Sequence, residues 1–301
     1  MTKKTGGPAG DGKKPPHPES IRYSYFSIDD EIVPPDFILP GLEIGQVGLI
    51  FAPGGTGKSF LLMELALAVA SGKSLIPSFP PNVAGPVKGL FFELNDRALR
   101  NRMTSILRAF PEGEAGLERL FLAPLLGEHL YLLSADGDPN EKAIDWLQEQ
   151  CDGMTLLILD PLRRCHAADE NNNAAMDRLI EILMRIGQRT GTGILAAHHS
   201  SKASILNGQG SLQQSGRGAS ALADGARLVI TLSTRPSEDD DDPQNRQVSL
   251  SVAKINEHPP INDIILRRGP GGVFLDMAEE KDEPWPHVSS PSFQRKGGRY
   301  R

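Results

Sequence analysis

The chain has 301 residues and a formal net charge of −6, and 39% of its residues are hydrophobic, which is enough for one α/β domain. Cys151 and Cys165 are the only cysteines, too few for a disulfide framework or a zinc site. No apolar run approaches the ~18 residues of a membrane span, and residues 1–8 lack the apolar segment of a signal peptide. These features indicate a reduced, cytoplasmic protein that does not enter a membrane.

The negative charge is concentrated in one place. The run 238–242 holds five acids, nearly the whole excess, and we expect it to form an exposed loop between two strands. Without this run the domain is close to neutral, and a protein that encloses DNA in a ring needs positive charge only on its channel loops. The global charge therefore neither requires nor excludes a nucleic-acid partner.

Strand and helix patterns alternate along most of the chain. Residues 1–20 and 278–301 are rich in Gly, Pro and charged residues, and we expect them to be disordered tails of a single domain over residues 21–277. The predicted strands are 46–51, 88–94, 119–125, 155–160 and 193–198, and the predicted helices are 58–71, 96–110, 139–151 and 174–190. Apolar strands that alternate with helices indicate an α/β fold with a mostly parallel sheet flanked by helices.

The pattern changes after residue 219. Further strands are predicted at 227–232, 248–255, 264–267 and 273–275, with turns and no helices between them. Antiparallel strands can be joined by short turns, whereas parallel strands need a long crossover. We therefore expect these segments to add antiparallel strands at the C-terminal edge of the sheet.

Residues 52–59 read Ala-Pro-Gly-Gly-Thr-Gly-Lys-Ser, between a β-prone apolar run and a helix rich in Leu and Ala. This is the context of a Walker A phosphate loop, whose N–H groups converge on a phosphate at the start of a helix. Lys58 is expected to reach the β- and γ-phosphates, and the Ser59 hydroxyl to coordinate Mg²⁺. The residues predicted to bind the nucleotide are Ala52, Pro53, Gly54, Gly55, Thr56, Gly57, Lys58, Ser59 and Phe60. The structural alternative is a glycine-rich turn before a buried helix.

An acidic residue, Asp160, ends the predicted strand 155–160. A Walker B element places a carboxylate here to act on Mg²⁺. We expect Asp160 to act through the water shell of the ion, because Mg²⁺ dehydrates reluctantly. The alternative is that Asp160 is a helix cap or a turn residue.

A second acid, Glu93, lies at the end of the predicted strand 88–94. Ligands of open α/β sheets bind outside the carboxyl ends of the strands. Glu93 is therefore predicted to orient or deprotonate the water that attacks the γ-phosphate. The alternative is an N-cap for the following helix, although Asn95 and Asp96 already suit that purpose.

Two histidines, His198 and His199, end the strand predicted from residue 193. Neighbouring residues on a strand point to opposite faces, so the pair is not expected to chelate one metal. We expect one imidazole to bond the γ-phosphate in the catalytic site while the other packs or bonds within the core. For each histidine taken alone, a satisfied core residue is the alternative.

A long glycine-rich segment, residues 200–218, follows the histidines. A loop of this length inside a compact domain is usually functional. Lys202 is its main cation before Arg217 and is the predicted DNA contact, through phosphate groups. Flexibility without function is the alternative.

In order and spacing these motifs resemble the RepA-type hexameric replicative helicases of broad-host-range plasmids. The motifs that carry the resemblance are 52–59, Glu93, 159–166, 198–202, 213–218, 254–256 and 268–273. The resemblance covers roughly residues 34–276. It implies a RecA-like P-loop NTPase core, a six-membered ring, ATP with Mg²⁺, and movement along single-stranded DNA.

The resemblance also implies roles for single residues. Glu93 is then the water-activating carboxylate, and Arg217 is an arginine finger that reaches the nucleotide of a neighbouring subunit. Lys254 lies at the same intersubunit site. Residues 94–96 and the acidic run 238–242 depart from the pattern of the family.

The predicted function is therefore an ATPase that acts as a DNA helicase in plasmid or mobile-element replication. Its 5′–3′ direction rests on the resemblance alone, and a replication initiator or primase is a candidate partner. Two alternatives remain open. One is a RecA-like ATPase of recombination or repair that does not unwind DNA. The other is a nucleotide-controlled assembly switch that hydrolyses slowly, as circadian-clock-type relatives do.

Overall fold

The computed structural model describes residues 35–199, 217–235 and 246–279, without the side chains of residues 217–219 and 279. All of these residues except Pro35 belong to one compact unit. The N-terminal tail, Lys202, the acidic run 238–242 and residues 280–301 lie outside the described residues. The predicted domain bounds, 21 and 277, therefore stay a prediction.

The described elements follow the predicted order. The helices are α1 (Lys58–Ser71), α2 (Asp96–Ala109), α3 (Glu141–Cys151), α4 (Asn173–Thr190) and α5 (Arg217–Gly225). The strands are β1 (Phe37–Leu39), β2 (Leu42–Glu43), β3 (Val47–Ala52), β4 (Val87–Phe91), β5 (Leu120–Pro124), β6 (Leu156–Asp160), β7 (Gly193–His199), β8 (Leu228–Thr234), β9 (Gln247–Ile255), β10 (Ile264–Arg268) and β11 (Phe274–Asp276). Short 3₁₀ helices cover Pro111–Arg119, Leu162–Cys165, Pro270–Gly272 and Met277–Glu279.

Nine of the described strands form one sheet in the order β11-β10-β9-β8-β3-β7-β6-β4-β5. Every neighbouring pair from β8 to β5 is parallel, and every pair from β8 to β11 is antiparallel. The prediction of a mostly parallel sheet with antiparallel strands at its C-terminal edge is confirmed. The strand before the phosphate loop, β3, lies inside the sheet with parallel neighbours on both sides.

The sheet separates two hydrophobic clusters, and the alternation along β3 shows how. Ile50 and Ala52 pack in one cluster with the apolar side chains of α1 and α2. Val47, Leu49 and Phe51 pack in the other, with those of α3, α4 and α5. Successive strand residues point to opposite faces, so a strand covered by helices on both sides is apolar throughout. All six residues of β3 are buried.

Two features were not predicted. The strands β1 and β2 pair antiparallel in a small separate sheet. More important, the glycine-rich segment 200–218 was expected to form a loop, but its last two residues, Arg217 and Gly218, begin α5. The segment 219–223 is rich in Ala, which favours a helix. Leu222 is fully buried in the cluster that contains α4. Burial of this face overrides the glycines beside it.

Candidate functional site

The register of the parallel strands brings the predicted catalytic residues to one edge of the sheet. Ala52, the last residue of β3, pairs with His199, the last residue of β7. Asp160, the last residue of β6, pairs with Phe91, the last residue of β4. Glu93 follows two residues after that strand end. Carboxyl ends of parallel strands meet at the same edge, where open α/β sheets bind ligands.

The phosphate loop has a backbone that requires glycine. Gly55 has a φ of 81° and Gly57 a φ of 106°, both in the left-handed region that side chains disfavour. A Cβ atom on Gly57 would also collide with the guanidinium of Arg268. The backbone and hydroxyl of Thr56 both donate to the carbonyl of Pro53, which closes the turn. No described atom lies within 4 Å of a Cβ built on Gly54 or Gly55, so the outer side of the loop is open.

Lys58 begins α1 and is buried among acidic and imidazole groups. Its Nζ atom lies 3.3 Å from Nδ1 of His199. Burial lowers the pKa of Lys58, while the charges of Asp160 and Glu93 raise it. The two carboxylates therefore favour the charged ammonium that a triphosphate needs.

Ser59 and Asp160 form the candidate metal site. Asp160 is only 2% exposed, and burial raises its pKa, against the hydrogen bond from Ser59 and the charge of Lys58. A hydroxyl and a carboxylate are the oxygen donors that Mg²⁺ prefers. In the described part of the chain no cluster of three or more His, Cys, Asp or Glu forms a metal cage. The donor set thus fits an ion that completes its shell with phosphate oxygens and water.

Glu93 has a half-exposed carboxylate at the mouth of the site. Its Oε2 lies 3.8 Å from Nε2 of His199, and its side chain is 45% exposed. Asn95 caps α2, because its side chain accepts the N–H of Ala98 at 2.9 Å. Glu93 is therefore not needed as a helix cap, and its carboxylate lies close enough to Lys58 to raise the pKa of that lysine.

His199 connects Lys58 to Glu93. Burial lowers its pKa and so does the charge of Lys58, while Glu93 and Asp160 raise it. The neutral imidazole is favoured at neutral pH. An ammonium has no acceptor, so we assign Nδ1 of His199 as the acceptor from Lys58 and Nε2 as the protonated nitrogen that faces Glu93.

His198 lies on the opposite face of β7, as the strand alternation predicted. Its ring centroid is 5.3 Å from that of Phe51, and the residue is only 5% exposed. Its Nε2 lies 3.5 Å from Oε1 of Glu170. The structure brings only one histidine of the pair to the phosphate loop.

Lys254 and Arg217 are both assigned by resemblance to an intersubunit site. Lys254 contacts the helix α5, and Arg217 belongs to it. The Nζ of Lys254 donates to the carbonyl oxygens of Ala223 and Asp224, at 3.2 Å and 2.6 Å, in the last turn of α5. A cation is favoured at the carboxyl end of a helix. Arg217 is the first residue of that helix. Lys254 therefore holds the end of the element that begins with Arg217.

Sequence reasoning missed two arginines beside the phosphate loop. Arg268 lies over the ring of Phe274 at 5.2 Å and donates to the carbonyl of Gly55. Arg102 lies over the ring of Phe60 at 5.1 Å. Arg268 opens the Gly-Pro-Gly-Gly turn quoted for the resemblance, which was an available signal. Arg102 is one of several arginines in α2, and nothing in the sequence distinguishes it.

The fold and the site together define a P-loop ATPase with a RecA-like fold. A model of the AAA domain family matches residues 20–204, a range that contains the phosphate loop, Glu93, Asp160 and His199. The chain belongs to this family.

Three solved structures show the same fold. The flagellar accessory protein FlaH from Methanocaldococcus jannaschii is 13% identical, with a TM-score of 0.50 over 78% of this chain and 91% of that one. The RadB recombinase is 14% identical, with a TM-score of 0.51 over 77% and 91%. The ATPase domain of G40P is 11% identical, with a TM-score of 0.53 over 77% and 84%. At these identities the likeness concerns the fold alone. No helix among the described residues is long and apolar enough to cross a membrane.

Proposed function

We propose that this protein is an ATP-driven hexameric helicase of the RepA type. It moves along single-stranded DNA and unwinds duplex during plasmid or mobile-element replication in the cytoplasm. The observation that carries the ATPase part is the convergence of Lys58, Asp160 and Glu93 at one edge of the sheet, with His199 between them. The order and spacing of the motifs support the helicase part.

The residues of the site divide the work of hydrolysis. Lys58 binds the β- and γ-phosphates, and the N–H groups of the phosphate loop surround them at the start of α1. Ser59 and Asp160 hold Mg²⁺, which when bound supplies positive charge to the phosphate oxygens. Glu93 orients the attacking water and accepts its proton. His199 lies between Lys58 and Glu93 and holds both side chains in position.

The ring completes the site from outside the subunit. Arg217 of one subunit reaches the γ-phosphate bound by its neighbour and stabilises the charge that develops there. The position of Arg217 at the start of α5, and the hydrogen bonds of Lys254 to the end of that helix, support this proposal. Movement of α5 then links hydrolysis in one subunit to the position of the next.

The comparisons do not single out one activity. One structural relative is named a recombinase and another is the ATPase domain of G40P. A recombination or repair ATPase that does not unwind is therefore the second candidate, and an assembly switch is the third.

One experiment separates the three. ATP hydrolysis is measured with and without single-stranded DNA, and unwinding is measured on a forked duplex, with Lys58→Ala as the inactive control. Stimulation together with unwinding supports the helicase, and stimulation without unwinding supports the second candidate. Slow hydrolysis that ignores DNA would support the switch and overturn the proposal.

A further inference from the structure

A second group of side chains, two exposed and one half-buried, lies at the carboxyl edge of the sheet, outside the nucleotide site. We call it the stacking platform and define it by His129, Tyr131 and Arg164. The rings of His129 and Tyr131 lie with centroids 5.0 Å apart and planes tilted by 35°. The Nη1 atom of Arg164 lies 3.3 Å from Nε2 of His129. Two rings and a guanidinium thus form one continuous surface.

The platform rests on a fixed backbone. The N–H of Leu130 donates to the carbonyl of Arg164 at 2.9 Å, and the N–H of Leu132 to that of Cys165 at 2.8 Å. Leu132 and Cys165 are completely buried. The segment that carries the two rings is therefore attached to the segment that follows β6, and its side chains are presented without a large ordering cost.

The aromatic residues of the platform are exposed. Tyr131 is 40% exposed, and Leu126 nearby in sequence is 57% exposed. Glu128, which precedes His129, is exposed, and Glu170 pairs with Arg163 at 3.5 Å. Arg164 contributes a cation directly beside the rings. Aromatic faces next to a cation are the combination with which proteins bind single-stranded nucleic acid.

We propose that the stacking platform binds single-stranded DNA, with a base stacked on Tyr131 or His129 and a phosphate held by Arg164. This proposal rests on the proposed function and names the surface that its DNA contacts. Duplex DNA buries its base faces within its own stack, so stacking side chains favour the single strand.

Backbone hydrogen bonds also connect the segment before the platform to the residues before the catalytic carboxylate. The N–H of Leu125 donates to the carbonyl of Phe91 at 2.9 Å, and the N–H of Gly127 donates to that of Phe92 at 3.3 Å. Phe92 directly precedes Glu93. DNA bound at the platform therefore contacts a segment that is hydrogen-bonded to the residue before the catalytic acid, which provides a physical path for stimulation of hydrolysis by DNA.

The test measures binding of a fluorescein-labelled oligothymidylate by anisotropy in the presence of a non-hydrolysable ATP analogue. Tyr131→Ala is expected to weaken binding by about 10-fold, the scale of one lost base stack. Tyr131→Phe, which keeps the ring, should bind as the wild type does. Arg164→Ala should weaken binding and reduce the salt slope by about one, and Arg164→Lys should keep most of that slope. Trp146→Ala, which removes an aromatic residue of similar exposure on α3, is the matched control and should bind normally.

The outcomes distinguish this proposal from the function on which it rests. If the wild type binds and unwinds DNA while Tyr131→Ala and Arg164→Ala bind normally, the proposal for the stacking platform is wrong and the helicase proposal is retained. If the wild type does not bind the oligothymidylate at all, the helicase fails and the platform fails with it. Size-exclusion chromatography and thermal unfolding accompany each variant. Loss of the oligomer, with binding by the remaining assembly unchanged, would make this surface a subunit interface and overturn the proposal.

Discussion

The Nδ1 atom of His199 lies 3.3 Å from the Nζ atom of Lys58, although 141 positions separate the two residues. The parallel pairing of β3 with β7 creates this contact, because it sets Ala52 opposite His199. On its other side the imidazole faces Glu93. One ring thus lies between the lysine proposed to bind phosphate and the carboxylate proposed to activate water.

Removal of this ring is expected to impair turnover more than binding. In His199→Ala, the kcat for ATP hydrolysis should fall by about 10²-fold, the lower end of what a positioned acid–base group contributes. The Kd for a fluorescent ATP analogue should change less, because Lys58 and the loop N–H groups remain. His198→Ala is unsuitable as a control because His198 is buried in the core. An unchanged kcat in His199→Ala would remove His199 from the catalytic site.

Variants of Lys58 and Glu93 should separate nucleotide binding from ATP hydrolysis. Lys58→Ala is expected to abolish nucleotide binding, since the point charge on the β- and γ-phosphates is lost. Glu93→Gln should bind ATP normally and hydrolyse it ~10²-fold more slowly or worse. Binding of a fluorescent analogue and steady-state phosphate release measure the two effects. Glu128→Gln, which alters an exposed acid in the loop after β5, is the matched control. Hydrolysis by Glu93→Gln at the wild-type rate would show that another group activates the water.

Arg217 should act across a subunit boundary. Arg217→Ala is expected to bind ATP and assemble, and to lose hydrolysis by about 10³- to 10⁵-fold, the range known for fingers supplied in trans. Mixing it with Lys58→Ala should restore part of the activity, because a mixed interface pairs an intact phosphate loop with an intact Arg217. If Arg217 instead contacts DNA, the basal rate without DNA stays normal and only the stimulated part is lost. A normal basal rate in an oligomeric mutant would contradict the finger assignment.

Glu64 should make stability depend on pH. It lies in α1, is fully buried, and accepts the N–H of Phe274 at 2.8 Å. Burial raises its pKa well above 4.5, against the hydrogen bond from Phe274 and the charge of Arg268. An acid whose pKa is higher in the folded state than in the unfolded state contributes stability that is fully present below the unfolded pKa. That contribution is lost as the pH rises through the raised folded pKa.

Glu64→Gln is expected to remove this dependence, because its amide is neutral at every pH and its oxygen still accepts the Phe274 N–H. The unfolding temperature of the wild type, relative to that of the variant, should fall as the pH rises above the pKa of an unfolded glutamate. The exposed Glu149→Gln on α3 serves as the control. Parallel curves for the wild type and Glu64→Gln would show that the buried carboxyl does not titrate differently in the two states.

The limits of sequence reasoning are visible in single elements. The helix α5 escaped notice because its first residues end a glycine-rich segment, although the Ala-rich run 219–223 and burial against α4 favour a helix there. The opposite orientation of His198 and His199 followed from strand alternation, but alternation does not say which face carries α1. Arg268 reaches Gly55 across 213 positions, a contact that no local pattern contains.

The sequence by itself determined the features that are local. The phosphate loop consists of eight consecutive residues, and its glycines, lysine and serine are close together because they are neighbours in the sequence. The alternation of apolar strands with helices likewise determined the class of the sheet, because burial on both faces leaves no polar side to a strand. The tertiary structure decided which distant groups meet these residues. Strand order and register alone set His199 against Lys58, Asp160 beside Ser59, and Arg268 over the loop, since side chains that far apart in the chain come together only when the whole sheet has formed.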